Sequence, residues 1–155
     1  MFVKCALRFV ATAVVISTVS LTCVYASASA LDDSPTALAT LQAKADKAQP
    51  RDRCFLYAEL VSQMTVLAGH QLNSGDSGQA SETLKLVQRY AEKIHMGVAD
   101  DSKRLKDAEV LMQRTSFRLK DILGEARYED RQTLEATLKQ LNQVQAQLMT
   151  QVFKK

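Results

Sequence analysis

The chain has 155 residues, with 20 basic against 17 acidic for a formal charge of +3, and 46% of it is hydrophobic. Five Gly, two Pro and no Trp exclude collagenous, low-complexity and wholly disordered chains. So few turn formers also exclude an all-β sandwich, which needs such punctuation about every 8–12 residues. The size fits one mostly helical domain.

Residues 1–30 differ in composition from the rest. Lys4 and Arg8 make a positive start, and an apolar stretch runs from Phe9 through Ile16 and on to Val24. Ala26-Ser27-Ala28-Ser29-Ala30 then supplies A-x-A cleavage triplets, with no acidic residue before Asp32. This order predicts an export signal cleaved after Ala30, because the positive end stays in the cytoplasm while the apolar stretch enters the membrane. An uncleaved anchor needs about 20 mostly apolar residues, whereas this stretch carries hydroxyls at Thr12, Ser17, Thr18, Ser20 and Thr22. An acylated Cys23 needs a Leu-small-Gly/Ala approach, where the chain has Ser20-Leu21-Thr22. The expected organisation is a signal peptide over 1–30 and a single helical domain over 31–155, periplasmic or secreted.

Without Lys4 and Arg8, 18 basic residues face 17 acidic ones. That balance gives no strong pull toward nucleic acid or anionic lipid. Cys5 and Cys23 leave with the signal, and Cys54 alone closes no intramolecular disulfide, so the domain has to hold by packing. A domain of this size buries roughly 60% or more of its unfolded surface.

Ser34-Pro35 reads as a helix start, Ser as N-cap and Pro at the first helical position, with a short helix through Ala48 and Leu38 and Leu41 on one side. Gln49-Pro50 breaks it. A second helix is predicted from about Asp52 to Asn73. Its stripe is Cys54, Tyr57, Val61, Met64 and Ala68, broadened by Leu60, Leu67 and Leu72. Asn73-Ser74-Gly75-Asp76-Ser77-Gly78 is the clearest turn.

A third helix, about Gln79 to His95, carries the sharp seam Ala80, Leu84, Val87, Ala91 and Ile94, and Gly97 with Asp100-Asp101-Ser102 ends it and caps the next. The fourth, about Lys103 to Leu123, puts Leu105, Ala108, Met112, Thr115, Leu119 and Ile122 on one face, with Gly124 as its C′ residue. The fifth runs from near Asp130 almost to the end, with Leu134, Leu138, Leu141, Gln145, Leu148 and Val152 in heptad spacing. Five helices, each with one apolar stripe, predict an all-α antiparallel bundle or helical-hairpin array. Tyr57, Met64, Met112, Phe117 and Met149 are assigned to the core or its edge.

The chemistry-bearing residues do not assemble into a site on sequence grounds. Glu92-Lys93-Ile94-His95 is one Glu-x-x-His, but a di-iron bundle needs a second copy, and Leu67 stands three before His70. Cys54 and His70, sixteen residues apart on one helix, lie about 160° and about 24 Å from each other, too far to share an ion or a proton. Cys54 falls on the apolar stripe and reads as a buried small hydrophobe, with Arg51 and Arg53 solvated beside it.

Gly75-Asp76-Ser77-Gly78 lacks the Lys-Ser/Thr of a phosphate loop, and no serine is placed with a histidine and a carboxylate. Asp100-Asp101 and Glu129-Asp130 read as helix N-terminal caps favoured by the dipole. On the fourth helix, Lys103, Arg104, Lys106, Arg114, Arg118 and Lys120 outnumber Asp107, Glu109 and Asp121. They spread around it without exposed aromatics between them, which reads as solvated faces rather than a nucleic-acid surface.

Residues 61–94 resemble a tetratricopeptide (TPR) hairpin. Met64-x2-Leu67-Ala68-x2-Gln71, Gly75-Asp76 in the turn and Ala80-x3-Leu84 follow the family's Trp-x2-Leu-Gly-x2-Tyr, turn, Ala-x3-Phe order. The small residues match; Met64 and Gln71 replace aromatics, the closing Pro is absent, and no second copy follows at a 34-residue offset. The whole chain is also similar to exported bacterial helical proteins, a likeness that brings no activity. The resemblance implies protein–protein contact. The expected function is therefore a non-enzymatic, exported adaptor in the cell envelope, with no catalytic, cofactor or metal residues and an unidentified protein partner. Self-association remains open, and the alternative is a bundle that binds a small ligand or a metal through Glu92 and His95.

Overall fold

A computed structural model describes residues 35–96 and 104–154. The export signal, the Ser34 cap, Gly97, the Asp100-Asp101-Ser102 caps, Lys103 and the His95 side chain lie outside the described residues. The rest forms five helices with no strand among the described residues: α1 (Pro35–Lys47), α2 (Pro50–Asn73), α3 (Ser77–Met96), α4 (Leu105–Glu125) and α5 (Tyr128–Phe153). The all-α reading of the sequence holds.

Helix α2 starts two residues earlier than its apolar pattern predicts. Pro50 breaks α1 but also begins α2, at a position where its fixed φ suits the helix and its missing N–H costs nothing. Between α2 and α3 the chain turns through a Schellman motif. Gly75 takes φ 85°, its N–H donates to the Leu72 carbonyl at 3.0 Å, and Asp76 N–H donates to the Gln71 carbonyl at 2.8 Å. The left-handed residue is the one glycine the turn requires.

Gly124 is not the C′ residue that its position suggests. It lies inside the last turn of α4, which runs on to Glu125 and stops where Ala126 turns extended. The α5 seam is also offset from the predicted one. Leu134, Thr137, Leu141, Val144 and Leu148 are buried, while Leu138, Gln145 and Val152 only flank them. Thr137 satisfies its hydroxyl on the Thr133 carbonyl at 2.8 Å and accepts from Gln88 Nε2 at 2.7 Å, so a polar residue occupies a core position that a count of apolar residues skips.

α2 packs on α3, α3 on α5, α5 on α4 and α4 on α2, with α1 laid along α2. α2–α3 and α4–α5 are antiparallel hairpins. The two hairpins stand side by side with α2 parallel to α4 and α3 parallel to α5: Gly69 meets Ile122 near both C-terminal ends, and Ser77 Oγ donates to Asp130 Oδ2 near both N-terminal ends. α2 has three helical neighbours, which is why it is buried around most of its circumference, from Leu56 and Ala58 to Thr65 and Gly69. The core is aliphatic, led by Leu60, Leu84, Ile94, Met112, Leu119, Leu134, Leu141 and Leu148. Two assigned edge residues miss it: Phe117 is 60% exposed and Met149 45%. Phe117 lies two residues, about 200° of helix, from both Thr115 and Leu119, and Met149 is one residue off the Leu148 face.

Candidate functional site

One corner of the fold gathers a cluster of polar side chains from four helices. There the C-terminal end of α1, the N-terminal half of α2, the last turns of α3 and the start of α4 come together. On one side of α1 the hydroxyl of Tyr57 donates to Asp46 Oδ1 at 2.7 Å, and Lys93 Nζ donates to the same oxygen at 3.1 Å. Lys93 Nζ also sits 5.2 Å from the ring centres of both Tyr57 and Tyr90, whose rings stack at 6.0 Å. Both tyrosines are buried, and α1 is tied through Asp46 to α2 and α3 at once.

The electrostatics of this latch are self-consistent. The Tyr57 hydroxyl, then Lys93, holds the Asp46 carboxyl below its ordinary value. The hydrogen bond to Asp46 pushes Lys93 up. Burial raises Tyr57 and Tyr90, and for Tyr57 the bond to Asp46 adds to it. All four groups move away from neutrality, so each keeps one protonation state there. A general acid or base needs the opposite, a value near the working pH.

On the other side of α1 lies an open groove of about 600 Å³. Its floor is Phe55 and Leu56 of α2. Lys44 and Lys47 of α1 with Ala48 just beyond it form one side, and Arg104, the N-cap of α4, forms the other, with Gln49 and Asp52 at the α2 N-terminus. Arg104 is the only described non-glycine residue with positive φ, at 58°. Its guanidinium carbon lies 3.4 Å from the centre of the Phe55 ring, and its Nε donates to Asp107 Oδ2 at 3.0 Å. A left-handed backbone costs an ordinary residue about 1–2 kcal/mol, and the stacked, paired side chain is what offsets it. Arg104 is thus part of a wall rather than a freely solvated charge.

Other residues singled out from sequence fall elsewhere. Cys54 is buried on the α2 stripe, and burial pushes its thiol up to about 11. His70 is exposed near the far end of α2. Arg51 and Arg53 are half-buried rather than solvated; Arg53 Nη2 donates to the Ala48 carbonyl at 2.9 Å and closes the α1–α2 link. Lys106, Arg114, Arg118 and Lys120 are exposed. Glu129 and Asp130 lie in the first turn of α5, but its N-cap is Arg127, and Asp130 is spent on Ser77 of α3.

Glu92 is exposed and accepts from Gln140 Nε2 at 3.4 Å, beside a shallow groove between α3 and α5. Among the described residues no three His, Cys, Asp or Glu side chains converge as a metal site would require. Sequence reasoning missed Asp46, Phe55 and the pairing of Tyr90 with Lys93. The one local hint was Tyr90 and Lys93 at helical i,i+3 spacing.

No protein-family model, curated protein or solved structure matches the chain.

Proposed function

We propose that this protein is a non-enzymatic, exported helical adaptor that works by protein contact in the cell envelope, with the groove between α1 and α4 as its docking site. The observation that carries the reading is the lining of that groove. Cations on α1 and at the N-cap of α4 stand over an apolar floor, and the neighbouring polar cluster is tuned away from proton transfer. Export rests on the order of charge, apolar stretch and small residues in residues 1–30. The TPR-like reading of residues 61–94 belongs to the same proposal and rests on Ala68 and Ala80, small residues with no exposure on two helices that pack together.

Site-specific photo-crosslinking tests it. A crosslinking residue at position 47 in the tagged full-length chain should trap one discrete partner in envelope preparations. The same residue at position 85, exposed on α3, should not. A chain that traps nothing at position 47 overturns the reading. Intact mass of the recovered protein should begin at Leu31; retention of residues 1–24 would overturn export. A small-ligand reading is favoured by one observation only, the groove's volume, which falls within the ~300–1,000 Å³ typical of ligand clefts.

A further inference from the structure

We infer that the groove at the α1–α4 corner recognises a short acidic peptide segment of the partner that carries an apolar side chain between carboxylates. The inference rests on the adaptor reading and adds the chemistry of the contact. α2 supplies the floor, and its Phe55 and Leu56 offer the apolar surface. α1 and the N-cap residue of α4, Arg104, supply the sides, and α1 and α4 pack on α2 but not on each other. The cations are therefore split across the groove, with Lys44 and Lys47 on one side and Arg104 on the other. Among the described lining residues the one carboxylate, Asp52, lies 3.8 Å from Arg51.

That arrangement decides between occupants. An amphiphile with a single anionic head would meet the cations of one side only, either Lys44 and Lys47 or Arg104, the last already paired with Asp107 at 3.0 Å. A peptide that sets one apolar side chain on the floor meets both walls with the acidic residues before and after it, so the alternation of its chemistry matches the cross-section of the groove. Arg104 adds a second, independent feature. Its left-handed backbone and its guanidinium over the Phe55 ring hold the charge at the edge of the apolar floor, with the side chain still 56% exposed. A residue kept in a disfavoured conformation by its surroundings is a mark of a functional surface.

Fluorescence anisotropy on the full chain tests the assignment with defined probes. These are labelled Glu-Asp-Leu-Phe-Asp-Glu, its basic counterpart Lys-Lys-Leu-Phe-Lys-Lys, the acidic but polar Glu-Asp-Gly-Ser-Asp-Glu, and decanoate as an unlabelled competitor. The first peptide should bind saturably and weaken as salt shortens the reach of the charges. The two control peptides should bind roughly tenfold more weakly or worse. Charge reversal by Lys44→Glu with Lys47→Glu should cost a similar factor, as should Arg104→Asn, which keeps the left-handed backbone and removes the guanidinium. Lys139→Glu, on α5 and away from the groove, should leave binding unchanged. An unchanged urea midpoint in Arg104→Asn separates lost recognition from lost folding.

Equal binding of the acidic and basic peptides overturns the inference. So does displacement by decanoate in a groove that ignores all three peptides, an outcome that assigns it to a small anionic amphiphile. A position-47 crosslink together with failure of every peptide overturns this occupant and leaves the adaptor reading standing. Peptide binding with no crosslink in the envelope supports the groove's chemistry and overturns the adaptor reading.

Discussion

At the scale of single residues, the Asp46 carboxylate is the point on which the corner turns. Tyr57 and Lys93 both donate to its Oδ1, and both are on helices other than its own. Tyr57→Phe deletes the hydroxyl donor and leaves the ring stack, so it should cost about 0.5–1.5 kcal/mol, the usual worth of one such bond, in a urea melt. The pH dependence follows from the direction of the Asp46 shift. A carboxyl held below its ordinary value stabilises the fold above its unfolded value and loses that contribution as pH falls through the folded value. Lys93 is shifted upward, so its contribution is complete at every pH below the ordinary lysine range and fades only in strong alkali. The acid limb thus belongs to Asp46. Wild type should exceed Asp46→Asn in urea midpoint at neutral pH, and the gap should close once the medium is more acidic than the ordinary carboxylate range. A gap that persists there, or that is absent at neutral pH, would show that the latch does not hold α1.

At the scale of helices, what the sequence revealed depended on how many neighbours each helix has. α3 buries one face, and its seam of Ala80, Leu84, Val87, Ala91 and Ile94 is buried in the structure as read from spacing alone. α2 buries several faces against three partners, so a single stripe understates it. In α5 Leu134, Leu141 and Leu148 of the predicted heptad are buried, but Thr137 and Val144, one residue or about 100° away, fill the core positions that Leu138 and Gln145 seemed to hold. Two substitutions test the crossings. Ala80 has no exposure, and Leu there should overpack the α2–α3 hairpin by roughly 1–3 kcal/mol. An unchanged denaturation midpoint would remove the support for a TPR-like pair. Gly69 works the other way. A Cβ there would approach Ile122 Cδ1 to 3.0 Å, but that methyl ends a flexible, half-buried side chain and can swing aside. Mid-helix glycine costs up to about 1 kcal/mol relative to alanine, so Gly69→Ala should be neutral to slightly stabilising. It should gain further when combined with Ile122→Val, which removes the opposing methyl. A clear loss of stability in that double variant would mean the α2–α4 approach is fixed by backbone rather than by Ile122.

At the scale of the whole molecule, the fold class was legible and the candidate site was not, for one physical reason. Helical periodicity is local and survives in the sequence, whereas the corner depends on the register between helices. Asp46 and Lys93 are 47 residues apart and meet only because α1 and α3 both lie against α2. Phe55 and Arg104 meet only because α2 and α4 run parallel with their N-terminal ends together. The same packing bears on what holds the domain together. Leucines from α2 through α5 fill the interior, and Cys54 sits among them with its thiol pushed up to about 11, so it stays protonated and unreactive at neutral pH. A domain held by this interior needs no crosslink. The helical signal in circular dichroism and the urea midpoint should therefore be the same with and without chelator, and with and without reductant. Loss of helicity on chelation would sink that account and move attention to Glu92 and His95 on α3. A shift on reduction alone would mean that a cysteine of the chain is oxidised, which burial disfavours for Cys54.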